Sequence, residues 1–315
     1  MTDTSVMPVE QPAERRERPW RLVLLCGLAG VIMAVLWSPR LVDKVIAGGI
    51  ANPLFGGDIS EVAITGAGMA AVFAFVTGAA GMFTACNVAV FSALAPMTAH
   101  RESARSQAVT MLRALGLLLA GAIVVSGIYG VIVVLFGANL PQLSTVRIGD
   151  PVTGVPLRSV QSGIVFGLIG VIMVWRGLAY LGLVKNPLEG LFRRHPGSEL
   201  IFFGALIGAF LIGRPFGPFR NLLEYAVSTH NPLLGFATLA LQSIGNVLGV
   251  ALIFVVIMVV SRGGFQRWLT REPGRAARFS AGAFILAGTF FLVYWVLRLG
   301  SRLGHWWWPV MPYNA

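Results

Sequence analysis

The chain has 315 residues, of which 56% are hydrophobic and only 12% charged, with a mean hydropathy of +0.77. A soluble domain of this size carries about 25% charged residues, so the composition excludes an ordinary globular enzyme and predicts an all-α polytopic membrane protein. The net charge of +11 does not imply nucleic acid, because the basic residues fall in short loops between apolar runs rather than on a soluble module.

Residues 1–19 are polar and contain prolines, which predicts a disordered cytoplasmic tail. Residues 20–38 follow as a transmembrane anchor. The run "RLVLLCGLAGVIMAVLW" has basic flanks like a signal peptide but is too long for one, and "SPRLVDK" makes a poor cleavage site. Cys26, between Leu25 and Gly27 on this helix, reads first as a small packing residue.

With the anchor at 21–37, further apolar segments near 62–97, 110–136, 161–184, 199–229, 233–260 and 279–299 make seven predicted spans. The loops at 98–107, 185–198 and 261–278 hold nine of the 22 arginines, among them Arg193, Arg194, Arg271 and Arg275. By the positive-inside rule these loops and the N-terminus are cytoplasmic, and the C-terminus lies outside the plasma membrane. Residues 301–315 form an extracytoplasmic tail in which Trp306, Trp307, Trp308 and Tyr313 predict an interfacial aromatic belt. His305 beside them has no second histidine at ligand spacing, so neither a metal nor any other cofactor is expected. "GAGMAA" at 66–71 resembles a dinucleotide fingerprint but lies in an apolar span with no strand–helix context.

The second and fifth segments exceed the length of a straight span and contain helix-breaking clusters. In the first, "TGAAGMFTACNV" carries Gly81, Cys86 and Asn87. In the second, "GRPFGPFRNLLE" carries Arg214, Pro215, Phe216, Gly217 and Pro218, with Arg220 and Glu224 four apart and able to pair along one helix face. Sliding the halves by 130 residues places Gly78 on Gly208 and Cys86 on Phe216. A first three-helix repeat at 62–184 and a second at 199–300 would then face opposite ways across the membrane. Paired broken helices in such inverted repeats mark a midplane cavity, since freed backbone groups persist in lipid only where buried or wetted. Cys86, Gly81, Asn87 and residues 214–218 are the expected cavity lining. Gln242 and Asn246 share a face of the sixth span, where amides commonly bond across a helix interface.

These segments resemble a known family. "TACNVAVFSALAPM" is similar to the cysteine-and-proline stretch of the transmembrane proteins of cytochrome c biogenesis and thiol–disulfide interchange (the CcdA and DsbD type), and "GRPFGPF" to their second, glycine-led signature. The resemblance implies an inverted-repeat core. In it, two cavity cysteines take electrons from a cytoplasmic thioredoxin-like donor and pass them to extracytoplasmic thiol proteins. Cys86 matches the first family cysteine, but Phe216 stands at the place of the second. A dithiol relay needs a resolving thiol, and Cys26 serves only if its Cα comes within about 7 Å of that of Cys86. Two alternatives stand beside redox transfer. One is a small-solute or ion transporter on the same scaffold, using Asn87 and Arg214. The other is a non-catalytic assembly factor docking through its arginine loops and aromatic tail.

Overall fold

A computed structural model describes residues 19–81, 104–150, 152–195, 197–261, 264–272 and 274–314. Its frame is a bundle of long apolar helices, which makes the chain a multi-pass integral membrane protein. In chain order these are α1 (Pro19–Leu36), α2 (Gly48–Phe55), α3 (Ala67–Ala80), α4 (Ala104–Phe136), α5 (Leu157–Tyr180), α6 (Glu189–Arg194), α7 (Ser198–Gly213), α8 (Gly217–Ser228), α9 (Pro232–Val260), α10 (Gly264–Thr270), α11 (Arg275–Phe291) and α12 (Arg298–Arg302). Among the described residues, five helical runs are long and apolar enough to cross a bilayer, and six if the bent pair α7–α8 counts as one span.

The segment after α1, which falls between two predicted spans, is helical. A π-helical stretch, Arg40–Ala47, runs directly into α2. Its residues Val42, Asp43 and Ala47 share the inner side, so it is an amphipathic piece laid against the bundle. A two-residue antiparallel ladder pairs Arg147 with Pro156 and Ile148 with Val155 before α5. A second π-helical stretch, Leu292–Leu297, joins α11 to α12.

Small residues set the packing, because helices in lipid gain by close van der Waals approach rather than by the hydrophobic effect. On α4 and α7, a β-carbon at Gly121 would stand 2.1 Å from the Ile201 carbonyl, and one at Gly204 2.0 Å from that of Leu118. The two backbones therefore touch, and the helices run parallel. α5 runs antiparallel to α7, with Gln161 beside Ile212 at one end and Arg176 beside Glu199 at the other. It is also antiparallel to α11, with Gly163 against Leu299 and Gly177 against Ile285. α1 is parallel to α11, Cys26 lying by Gly282 and Gly30 by Leu286. α9 starts beside the end of α4, Gly235 against Gly130, and returns along it, while α3 packs on α9.

Two apolar clusters fill the interior. One joins α4, α5, α7 and α11 through stacked rings, with Phe166 5.5 Å from Phe291 and 4.6 Å from Trp295. The other gathers Phe73, Phe219, Leu222 and Leu239 where α3, α8 and α9 meet. Leu24, Leu25 and Leu28 of α1 point outward, as expected for a helix bathed in lipid.

Candidate functional site

Helix α7 stops at Gly213 for a local reason. Pro215 offers no N–H and forces the residue before it out of the helical region, and Arg214 duly sits at ψ 111°. After three extended residues α8 restarts with Pro218 in its first turn, at 87° to α7. Two carbonyls at this break are paired by side chains. Ile212 O accepts from Gln161 Nε2 of α5 at 2.8 Å and from Gln142 Nε2 at 2.9 Å, and Gln142 also reaches Arg214 O at 3.3 Å. Two side-chain amides thus replace the lost helical ladder, as lipid demands.

Arg214 projects from the bend into a crowded setting. Its guanidinium lies over the Phe216 ring, 4.3 Å from the centroid, and Nη2 is 3.8 Å from Oδ1 of Asp43 on the first π-helical stretch. Nη1 would be 2.3 Å from a β-carbon at Gly81, the residue that closes α3. Nη2 is buried and has no hydrogen-bond partner among the described residues. Burial pushes the Asp43 carboxyl above its ordinary pKa, and the Arg214 charge partly offsets that rise.

Beside Arg214 opens a cavity of about 350 Å³, within the range typical of small-molecule sites. Both π-helical stretches border it, the first through Val42 and Asp43, the second through Tyr294 and Trp295. Insertions of this kind re-aim side chains and recur at functional sites. Four arginines reach the cavity wall: Arg158, Arg214, Arg298 and Arg302. Arg298 also hydrogen-bonds the Tyr294 hydroxyl and lies over its ring. The remaining wall is largely aromatic.

Of the residues singled out from sequence, the structure brings Gly81 and Arg214 into contact, and Arg214, Pro215 and Phe216 line the cavity. Gly217 and Pro218 begin α8, with Gly217 against Ser60. Cys26 is half-buried against Gly282 and does not line the cavity. Cys86 and Asn87 lie outside the described residues. Arg220 and Glu224 pair at 2.7 Å on an exposed face of α8. Asn246 borders the cavity, while Gln242 is fully buried with neither amide atom partnered among the described residues.

Sequence reasoning passed over Asp43, Gln142, Arg158, Gln161, Arg298 and Arg302. A signal existed for the last pair: two arginines four apart at the end of an apolar span share one helix face. Arg158, at the start of an apolar helix, is the same kind of cue. Gln142 and Asp43 offered none, since their roles depend on long-range placement.

At the other end of α7 is a second buried charge. Arg176, 3% exposed, forms an ion pair with Glu199, whose carboxylate also accepts from the Tyr180 hydroxyl at 2.6 Å. The rings of Tyr180, Phe192 and Phe203 surround the guanidinium at 5.0, 5.1 and 5.6 Å. No group of three metal-ligating side chains occurs among the described residues.

Comparison of the chain with protein-family models, with curated proteins and with solved structures finds no match in any of the three.

Proposed function

We propose that the protein is a membrane carrier for a small solute, built as seven crossings with a three-plus-three inverted-repeat core around the Arg214 cavity. Helix directions support the seven. α1 is parallel to α11, which is antiparallel to α5; α5 is antiparallel to α7, which is parallel to α4. α1 and α4 therefore run the same way, which supports one further crossing in the chain between them. The repeat is supported by a matched pair of contacts. Gly78 lies against the Gln242 carbonyl and the Asn246 amide, and Gly208 against the Ala122 carbonyl and the Ser126 amide. Each interrupted segment packs on the central helix of the opposite half.

The observation that carries the carrier reading is Arg214 itself, a cation on broken backbone that faces a cavity while the end of α3 presses on it from behind. Charges inside membranes mark solute and ion paths, and solute sites of inverted-repeat carriers lie at such helix breaks. A carrier must open its site to each side in turn. In a background with Cys26→Ser and Cys86→Ser, an Asn246→Cys variant in proteoliposomes is expected to react with an impermeant maleimide applied from either face. Ser159→Cys, also at the cavity, reacts from one face only. Reaction of Asn246→Cys from a single face would remove the carrier reading.

A second reading, thiol–disulfide transfer, draws on the family resemblance and on one bound. Cys86 follows Gly81 by five residues, which holds its Cα within about 18 Å of that glycine, the residue beside the Arg214 guanidinium. A nearby cation favours the thiolate. Under this reading the thiolate of a thioredoxin-like donor that lacks its own resolving cysteine attacks a disulfide joining Cys86 to an extracytoplasmic thiol protein, forming a mixed disulfide with Cys86 and releasing that protein's thiolate. Loss of that adduct in Cys86→Ser, and its persistence in Cys26→Ser, is the expected result.

A further inference from the structure

We infer that the cavity binds a small organic anion: an oxyanion group joined to a flat or apolar body. This deepens the carrier reading and rests on its assignment of the cavity as the solute site.

Among the described residues, four guanidiniums reach one cavity whose lining holds a single carboxylate, that of Asp43. Asp43 engages Arg214 alone, at 3.8 Å. Arg158, Arg298 and Arg302 have no carboxylate within ion-pair distance among the described residues, although elsewhere the chain pairs its arginines readily, as with Arg176 and Glu199, Arg220 and Glu224, and Arg275 and Glu272. Arg298 and Arg302 are four apart, a spacing at which like charges on a helix oppose each other. An uncompensated cluster of this kind at an apolar cavity is costly unless an anion completes it.

Two helices also begin in the wall. Pro156, Arg158 and Ser159 line it where α5 starts, and Pro215 and Phe216 line it where α8 starts. Neither first turn contains an acidic residue or has a side-chain cap, so neither helix has its positive pole neutralised by its own side chains, although the Leu157 N–H of α5 donates to the Val146 carbonyl. Half-helix N-termini of this type receive anionic groups in transporters with broken helices. The Arg214 Nη2 group, buried and without a hydrogen-bond partner among the described residues, adds a further donor.

The rest of the lining selects the body of the ligand. Phe166, Phe210, Phe291, Tyr294 and Trp295 offer ring faces and edges, a surface for a flat apolar group rather than a hydrated ion. Guanidinium planes bind carboxylate and phosphate in two-pronged fashion, so the charged end is a planar or tetrahedral oxyanion. An aromatic carboxylate and the phosphate of an anionic lipid share this chemistry.

The test is calorimetric titration of the full chain in detergent with 1-naphthoate, 1-naphthamide and inorganic phosphate. The expected result is one saturable site for 1-naphthoate, with at least about tenfold weaker binding of the neutral amide and of phosphate. Arg298→Gln combined with Arg302→Gln is expected to weaken 1-naphthoate by about tenfold, while Arg302→Gln alone, an exposed rim change, weakens it less and leaves the thermal midpoint in place. Equal affinity for 1-naphthamide, or unchanged affinity in Arg302→Gln and in the double variant, would overturn the inference. Short-chain phosphatidylglycerol, set against phosphatidylcholine, distinguishes the sources. Selective displacement of 1-naphthoate by the former assigns the site to an anionic lipid, and its failure assigns it to a soluble anion. Saturable 1-naphthoate binding with Asn246→Cys labelled from one face only would end the carrier reading and keep the anion site. A cavity that carries a neutral solute and ignores 1-naphthoate would do the reverse.

Discussion

Gly81 lies so close to the guanidinium of Arg214 that a β-carbon added to the glycine would stand 2.3 Å from Nη1. The neighbour is the tip of a flexible side chain, which can move. Gly81→Ala is therefore expected to keep the fold, costing less than about 1 kcal/mol, but to push Arg214 off its station by Asp43 and lower ligand affinity. Gly78, three residues earlier, meets backbone instead, the Gln242 carbonyl at 2.1 Å. Gly78→Ala must part α3 from α9 and is expected to cost about 1–3 kcal/mol, the usual range for overpacking. Denaturation midpoints of the two purified variants, compared with binding, separate these effects.

The two amides on the Ile212 carbonyl predict non-additivity. Gln142→Leu or Gln161→Leu alone leaves one donor in place and costs about 1 kcal/mol. Together they orphan a buried carbonyl, adding about 1–3 kcal/mol beyond the sum of the singles. A double-mutant cycle on unfolding free energy checks this.

The Arg176–Glu199 pair behaves differently when broken and when replaced. Glu199→Gln strands a guanidinium that is 3% exposed, and is expected to cost about 3 kcal/mol, the lower end for a broken buried pair because Glu199 itself is partly exposed. Arg176→Met with Glu199→Gln removes both charges and should fall within about 1 kcal/mol of the wild type. Thermal unfolding of both variants in one detergent decides between pair and packing.

Asp43 sets a pH dependence with a definite sign. Burial raises its folded pKa above the ordinary 3.8, so the folded chain binds this proton more tightly than the unfolded chain does. The stability tied to it is complete below that ordinary value and declines as pH rises through the folded pKa. Relative to the wild type, an Asp43→Asn variant is thus expected to gain in unfolding midpoint from acid toward neutral pH. A constant difference across that range would contradict the assignment.

What the sequence revealed depended on whether the cause was local. The break at 214–218 was legible because proline and glycine act on their own backbone, and Arg220–Glu224 because helical spacing alone brings them together. The helical run through 40–55 was not, since "LVDKVIAGGIANP" mixes apolar, charged, glycine and proline residues and gains its order by lying on the bundle. The arginine cavity was hidden for another reason. Arg158, Arg214, Arg298 and Arg302 come from three distant parts of the chain, and only the antiparallel pairing of α5 with α11 next to the end of α7 assembles them. Trp306, assigned from sequence to an interfacial belt, donates to the Leu297 carbonyl and occupies the space left by Gly300, so part of that tail serves to finish the last helix.

The early end of α7 has an electrical consequence. Its sixteen residues make a rod of about 24 Å, short of the roughly 30 Å of hydrocarbon around it. Under the carrier reading Arg214, at the end of that rod, lies within the hydrocarbon, and a charge bound beside it feels part of the membrane voltage. At about 2.3 kcal/mol per elementary charge for each 100 mV traversed, polarising the membrane fills or empties that seat without any change in concentration.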